Sequence, residues 1–316
     1  MVYALFEDAI IYACSLSLMA SGINLIYITT KTFNFSHASI STWGLYIIFS
    51  GVAIVGVNLY YFFPIAFLIG ALLGLICYLG INGPLLKRQA NYITLMISTL
   101  GYEFILLSGI QIYADFLTYT FKLYSRLINM RLYDFMIGDI RAATIAALTW
   151  TIATIIAFYI LLYKTDLGIA IRAISENPSL TALCGVRPDK VYLTAWMIGG
   201  GLACSGGAIA SLVVTGTPVM GWILLISMFA ASILGGINSI FGGILGGIII
   251  GLAEFLGSYS LSFLLGPWII QYKPVISLIV MTITLMMFPI GLVGLKRPRL
   301  PKKVKGLTAL SRSGEV

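Results

Sequence analysis

Charged residues are scarce in this chain, making up 9% of its 316 positions, where a soluble globular domain carries roughly a quarter. The few basic residues are scattered between apolar runs, so no soluble surface is left for nucleic acid. Histidine occurs once, as His37, and no G-x-S-x-G motif is present, so a Ser-His catalytic pair lacks its parts. The dipeptide Gly-Lys is absent as well, which removes the P-loop and any cradle for nucleotide phosphates. Any ATP chemistry must therefore come from another polypeptide. Cys14, Cys77, Cys184 and Cys204 form no C-x-x-C pair, and three of them lie in apolar runs. Neither a disulfide framework nor a metal or cofactor site is expected.

What is present is apolar: 59% of residues are hydrophobic and the mean hydropathy is +1.01. The chain reads as an all-α, polytopic transmembrane helical bundle. Apolar segments fall near 9–28, 38–58, 61–82, 91–112, 140–163, 191–214, 222–236, 240–257 and 273–295. Most reach the roughly 20 residues that span hydrocarbon as a helix. The segments 222–236 and 240–257 are short and interrupted by glycine, so eight or nine spans are expected. No segment shows the alternation of an outer-membrane barrel strand.

Lys and Arg flanking membrane segments are retained in the cytoplasm. Lys87 and Arg88, then Lys164, Arg172, Arg187 and Lys190, then the tail cluster from Lys296 to Lys305 agree on one side. The loop 113–139 mixes both signs and is placed outside by parity. The charge of +8 thus records topology. The domain reading is a transmembrane unit over 1–295, with a cytoplasmic loop 164–190, and a basic cytoplasmic tail over 296–316. Glu7 and Asp8 stand where a cleaved leader would be basic, so the first segment is expected to remain as a span.

Within the loop, residues 168–186 have the marks of a short capped helix. Asn177 suits the N-cap, Pro178 the first helical position and Gly185 a left-handed stop, giving about two turns. Leu180, Leu183 and Cys184 share one face, leaving Glu176 and Thr181 to meet solvent or a partner. A helix this short is unstable alone in water. It must rest on its own membrane helices or on a second protein.

Two polar breaks interrupt the apolar pattern, at 29–37 and at 234–243, and each carries an Asn and a Ser. Paired helix interruptions in two halves of a transporter mark substrate sites, because unwound backbone groups bind polar ligand atoms. Broken helices and an inverted internal repeat are therefore expected. Asn34, Phe35, His37, Asn238 and Ser239 are the candidate path residues, against the plainer reading of both stretches as tight loops at the membrane surface. Asn34, Asn238 and Ser239 offer neutral donors and acceptors, Phe35 an apolar wall, and His37 either a satisfied hydrogen-bonding group or a ligand. Glu103 and Glu254 lie inside apolar segments, where a carboxylate is costly. A structural role is expected for both. Gly70 with Gly74, Gly242 with Gly246 and Gly247 with Gly251 form small-xxx-small repeats that permit close helix packing.

The run Gly22–Tyr27 followed by Asn34–His37, the loop Arg172–Glu176, and Leu234–Gly243 together resemble the branched-chain amino-acid ABC importer permease family. The resemblance continues through Gly251–Glu254, Tyr272–Lys273 and Phe288–Gly294, covering nearly the whole chain. Where family members show Asn-Phe-Ala-His-Gly, this chain has Ser36 and Ala38 in the third and fifth places. The resemblance implies a permease subunit of the cell membrane that carries branched-chain or related amino acids. It further implies a second related permease, two separate ABC ATPase subunits and an extracytoplasmic substrate-binding protein, all in membrane lipid. The loop then resembles the coupling helix of binding-protein-dependent permeases, with Arg172, Glu176, Asn177, Ala182 and Gly185 as coupling residues. For Arg172 and Glu176 the alternative is a local salt bridge. Other readings are an ion-coupled secondary transporter of small polar solutes using Glu103 or Glu254, a permease of the same family carrying amides or urea, and a membrane scaffold.

Overall fold

A computed structural model describes residues 2–287 and 291–293. The helices are α1 (Val2–Thr30), α2 (His37–Ser50), α3 (Phe62–Cys77), α4 (Gly83–Lys87), α5 (Tyr92–Phe121), α6 (Ala142–Lys164), α7 (Asp166–Glu176), α8 (Pro178–Leu183), α9 (Pro188–Ala210), α10 (Met220–Gly235), α11 (Ile240–Leu265) and α12 (Lys273–Met287). A two-stranded hairpin, β1 (Met136–Ile137) with β2 (Ile140–Arg141), is the one sheet among the described residues. A wide turn at Tyr78–Asn82 joins α3 to α4 without a break, and a similar turn at Gly51–Val55 extends α2.

Seven continuous helical runs among the described residues are long and apolar enough to cross a membrane, with α10 and α12 shorter. This is a multi-pass membrane protein. The expected short pair is half corrected. α11 runs 26 residues because its glycines line a helix contact instead of breaking the helix, and the shortened helices are α10 and α12. α5 continues to Phe121, nine residues past the expected end, and carries Asp115 in its last turns, where the carboxylate pairs with Arg126. The 296–316 tail and Phe288–Ile290 lie outside the described residues.

α1 and α9 pack together at the centre, α1 almost wholly buried and α9 buried over 199–210. Their contact is made by small residues: a Cβ on Gly199 would press on Ile26, and one on Gly206 would press on Met19. The serines and threonines of α1 do not need water at this depth, because Ser15, Ser17, Ser21, Thr29 and Thr30 donate back to carbonyls of their own helix. The glycine repeats act as expected. Gly70 and Gly74 abut α9 at Gly200 and Trp196, while Gly247 and Gly251 abut α1 at Ser17 and Ala13.

These contacts define an inverted repeat. α11 runs antiparallel along α1, and α3 runs antiparallel along α9. α2 follows α1 and packs on α9, while α10 follows α9 and packs on α1. α5 lies beside α2, with Glu103 at Ser39 and Tyr113 at Ser50, as α12 lies beside α10. The halves are α1–α5 and α9–α12, with α6–α8 between them. In this order the counterpart of the 31–36 break is the stretch 211–219 between α9 and α10, and the 236–239 turn corresponds to the 56–58 turn after α2.

One end of the bundle is closed by ion pairs. Arg141 is 6% exposed, is ion-paired with Asp8 and Asp134, and donates from its backbone N–H to Glu7. Arg131 reaches Asp8 at 3.0 Å. The opposite end carries Lys87 paired with Asp189 at 3.5 Å, and the elbow formed by α7 and α8.

Candidate functional site

The break after α1 is a re-entry into the bundle. Lys31 turns the chain with a left-handed φ of 55°, and the irregular residues 32–34 then run back alongside α1 to a turn at 35–36. α2 begins at His37, whose ring donates from Nε2 to the carbonyl of Met19 at 3.1 Å. With about 1.5 Å of rise per residue, Met19 lies roughly 16 Å inside the Thr30 end of α1. The start of α2 is therefore deep in the membrane-spanning region. Sequence reasoning expected an unwound segment here, and the backbone is unwound.

Local chemistry fixes that start. Asn34 Oδ1 accepts from the N–H and the hydroxyl of Ser36 at 3.1 and 2.6 Å, an Asx turn that launches the helix. Thr99 of α5 accepts the N–H of Phe35 at 3.2 Å. Glu103 accepts from both the N–H and the hydroxyl of Ser39, at 3.0 and 2.6 Å, capping α2 from a neighbouring helix. Two buried polar atoms at the turn have no partner, Asn34 Nδ2 and His37 Nδ1. Phe35 is half-buried and meets Phe229 of α10 edge-on at 5.6 Å.

Asn238 and Ser239 are not brought to this turn. Asn238 is exposed in the turn between α10 and α11, and Ser239 caps α11 by accepting from Gly242 N–H at 3.1 Å. That turn is fastened by a residue the sequence reading did not single out. Asn24, fully buried in α1, donates to the carbonyls of Gly236 and Ser239 at 3.2 and 2.7 Å and accepts from Ser232. Its place inside the Gly22–Tyr27 run was the available signal.

Glu254 is 1% exposed and accepts from Tyr12, Ser227 and Ser277, joining α1, α10, α11 and α12 through hydroxyls. Both intramembrane carboxylates are thus held by neutral donors.

At the opposite end the elbow has the expected caps. Thr165 caps α7, Asn177 Oδ1 accepts from Leu180 N–H at 3.0 Å, Pro178 opens α8, and Gly185 is left-handed with φ 87°. Its faces are reversed from expectation in one respect. Thr181 turns inward at 6% exposure and donates to the Asn177 carbonyl, while Leu180 and Leu183 are 59% and 85% exposed. Arg172, Glu176, Asn177, Ala182 and Gly185 are exposed. Arg172 lies over the Tyr163 ring at 5.4 Å, and neither Arg172 nor Glu176 has an ion-pair partner among the described residues. α7 packs through Ile171 and Ile174 on α6, α9 and α1.

Comparison with known proteins agrees with this architecture. The family described as "Branched-chain amino acid transport system / permease component" matches residues 5–288. The probable branched-chain amino acid transport permease protein LivH of Methanocaldococcus jannaschii is 37% identical over 307 residues, covering 97% of this chain and 96% of that protein. The high-affinity branched-chain amino acid transport system permease protein LivH of Escherichia coli K12 is 32% identical over 162 residues, half of each chain. BraD of Pseudomonas aeruginosa, named for the same kind of system, is 25% identical over 300 residues, with 90% and 93% coverage. No solved structure matches.

Proposed function

This chain belongs to the branched-chain amino acid transport permease family, and from that premise we propose that it is the membrane-spanning subunit of an ATP-driven importer of branched-chain amino acids. It is a transport subunit, and the hydrolysis that drives it belongs to a partner, in keeping with the missing P-loop. The family implies partner ATPase and binding-protein subunits. In our reading two ATPases and a second, related permease complete the complex, with the elbow end in the cytoplasm and the ion-paired end outside. The cations Lys87, Arg88, Lys164, Arg187 and Lys190 around the elbow support that orientation.

The observation that carries the proposal is the exposed apolar face of α8. Leu183 stands at 85% exposure on a two-turn helix in a water-facing loop, a placement that favours insertion into a groove of another protein. Asn177, Pro178 and Gly185 make the element stiff at both ends. A push on it passes through α7 to the inner end of α1, from which the 31–36 segment departs. ATP-driven closure of the ATPases then shifts the permease between states, provided that ATP and substrate bind those states with different affinity. Asn34 and Phe35 lie in that segment and His37 directly follows it, and these are our path residues. The hydroxyl partners of Glu103 and Glu254 leave the ion-coupled reading with less support.

Leu183→Asp tests the docking. Co-purification with the ATPases and transport are expected to be lost, while the melting midpoint of the permease is unmoved, as for exposed substitutions worth within about 0.5 kcal/mol. Retention of both would remove the elbow as the docking element. Uptake by the chain alone in vesicles, driven by a proton or sodium gradient, would remove the ATP-driven reading altogether.

A further inference from the structure

The irregular stretch between α1 and α2 alternates in burial. Thr32, Asn34 and Ser36 are buried, and Lys31, Phe33 and Phe35 alternate with them, half-buried. On the Phe33 and Phe35 side the wall is aromatic. Phe229 of α10 meets Phe33 at 5.5 Å and 89° and Phe35 at 5.6 Å and 82°, and Tyr27 lies 4.9 Å from Phe33. All four rings keep part of their surface open.

The backbone beneath them is unsatisfied. Among the described residues no hydrogen bond uses the N–H of Thr32, Phe33 or Asn34, and Asn34 Nδ2 is buried without a partner. At membrane depth such groups cost several kcal/mol each when turned to lipid, so irregular backbone survives only where it meets protein or a polar cavity. This wall therefore cannot face hydrocarbon, although its side chains are ring faces. Unpaired donors beside bare phenyl rings fit a small molecule with an anionic head and an aliphatic body. A hydroxyl or amide side chain would find nothing to bond on the rings. Lys31, which has no ion-pair partner among the described residues and stands 5.6 Å from the Tyr27 ring, adds a cation at the edge.

We propose that Phe33, Phe35 and Phe229 form the aliphatic half of an amino-acid binding site whose polar half is the unpaired backbone of residues 32–34. The proposal rests on the importer reading above and adds to it the side-chain selectivity of the membrane subunit itself. Phe229 is the specificity-determining residue, because it is the ring that touches both others from a different helix.

The test is competition binding on the purified complex of the chain with its ATPase and permease partners, without binding protein, using labelled leucine displaced by leucine or by alanine. Phe229→Ala is expected to lower the preference for leucine over alanine by about 10-fold or more, the scale set by losing apolar contact with several methylenes. Phe229→Tyr keeps the ring and is expected to restore the preference. Equal weakening of both ligands would mark Phe229 as merely structural and overturn the proposal, as would an unchanged ratio. If Phe229→Ala does not assemble, Phe35→Ala carries the same prediction. A wild-type complex that transports leucine yet shows no saturable leucine binding also overturns the site. One that neither binds nor transports leucine refutes the importer reading instead.

Discussion

The two re-entrant stretches, 31–36 and 211–219, hold equivalent places in the inverted repeat and are built to opposite ends. In the first, the chain is held by few bonds: an Asx turn at Asn34, one threonine from α5, and three backbone N–H groups left over. In the second, Gly216 exchanges two 2.8 Å backbone hydrogen bonds with Ile128, and the carbonyl of Leu212 accepts from the buried Arg141 at 3.4 Å. Gly221 at the start of α10 presses on Ala38 and donates its N–H to Thr42 at 2.9 Å. Among the described residues the first break keeps free donors, and the second is fastened to the 122–141 connection through Ile128 and Arg141. Symmetry of fold therefore does not carry over to symmetry of role. The asymmetry resides in the 122–141 connection, which covers 211–219 and has no counterpart over 31–36 among the described residues.

The largest effect should come from breaking that fastening. Arg141 is buried among Asp8, Asp134 and the Leu212 carbonyl. Arg141→Met leaves Asp134 without its cation and Asp8 with only the more exposed Arg131, a change that costs about 3–5 kcal/mol when one partner of a buried pair is removed. A marked drop in folded yield and melting midpoint is expected. An Arg141→Met chain that melts like the parent would mean the ion pairs do not hold the hairpin to α1, and the contrast between the breaks would lose its cause.

A smaller loss should follow from releasing the turn that belongs to neither break. Asn24→Ala strips the Gly236 and Ser239 carbonyls and the Ser232 hydroxyl of their shared partner. Leaving buried polar groups unmatched costs about 1–3 kcal/mol, so thermal melting should fall while ATPase co-purification at low temperature persists. If transport vanished with melting unchanged, the 236–239 turn would take part in gating and the sequence-level choice of Asn238 and Ser239 would regain its footing.

Much of this was legible in the residues. Spans follow from apolar runs of sufficient length, and the elbow follows from Asn177, Pro178 and Gly185, because caps act locally. The first break was visible since Thr29–His37 is polar between apolar neighbours. The second was not, because Thr215, Gly216, Thr217 and Pro218 read as any loop between two segments and their re-entry depends on docking against α2 and Ile128. The turn 234–243 took its place because polarity alone cannot tell a fastened turn from an unwound one. Phe229 was silent for the same reason that α11 was underestimated. A phenylalanine in an apolar segment and a glycine in a helix declare nothing until the partner surface is known. Thr181 went to the wrong face because α8 is oriented by its packing on α7 and α9, and its hydroxyl can be buried there because the Asn177 carbonyl accepts from it.

The finest comparison uses the unpartnered polar atoms of the two breaks. Thr217 Oγ1 in the fastened stretch and Asn34 Nδ2 in the freer one are both buried without a hydrogen bond. Were both merely imperfections, replacing each by an apolar isostere would affect uptake alike, although only Asn34 also gives up bonds to Ser36. Removing an unsatisfied buried group is nearly neutral or slightly stabilising, since its desolvation cost disappears with it. Thr217→Val is therefore expected to raise the melting midpoint by less than about 1 kcal/mol equivalent and to leave uptake unchanged. Asn34→Leu is expected to depress uptake strongly, because its Nδ2 belongs to the segment with three idle N–H groups, where a bound carboxylate would need it. As it also removes the Oδ1 bonds to Ser36, a lower melting midpoint is expected with it, and Ser36→Ala, which loses the hydroxyl bond but keeps Nδ2, is expected to retain more uptake. Equal uptake by Thr217→Val and Asn34→Leu would show that the first break keeps its free donors only by accident of packing. A loss of uptake confined to Thr217→Val would move the ligand to the opposite half of the repeat.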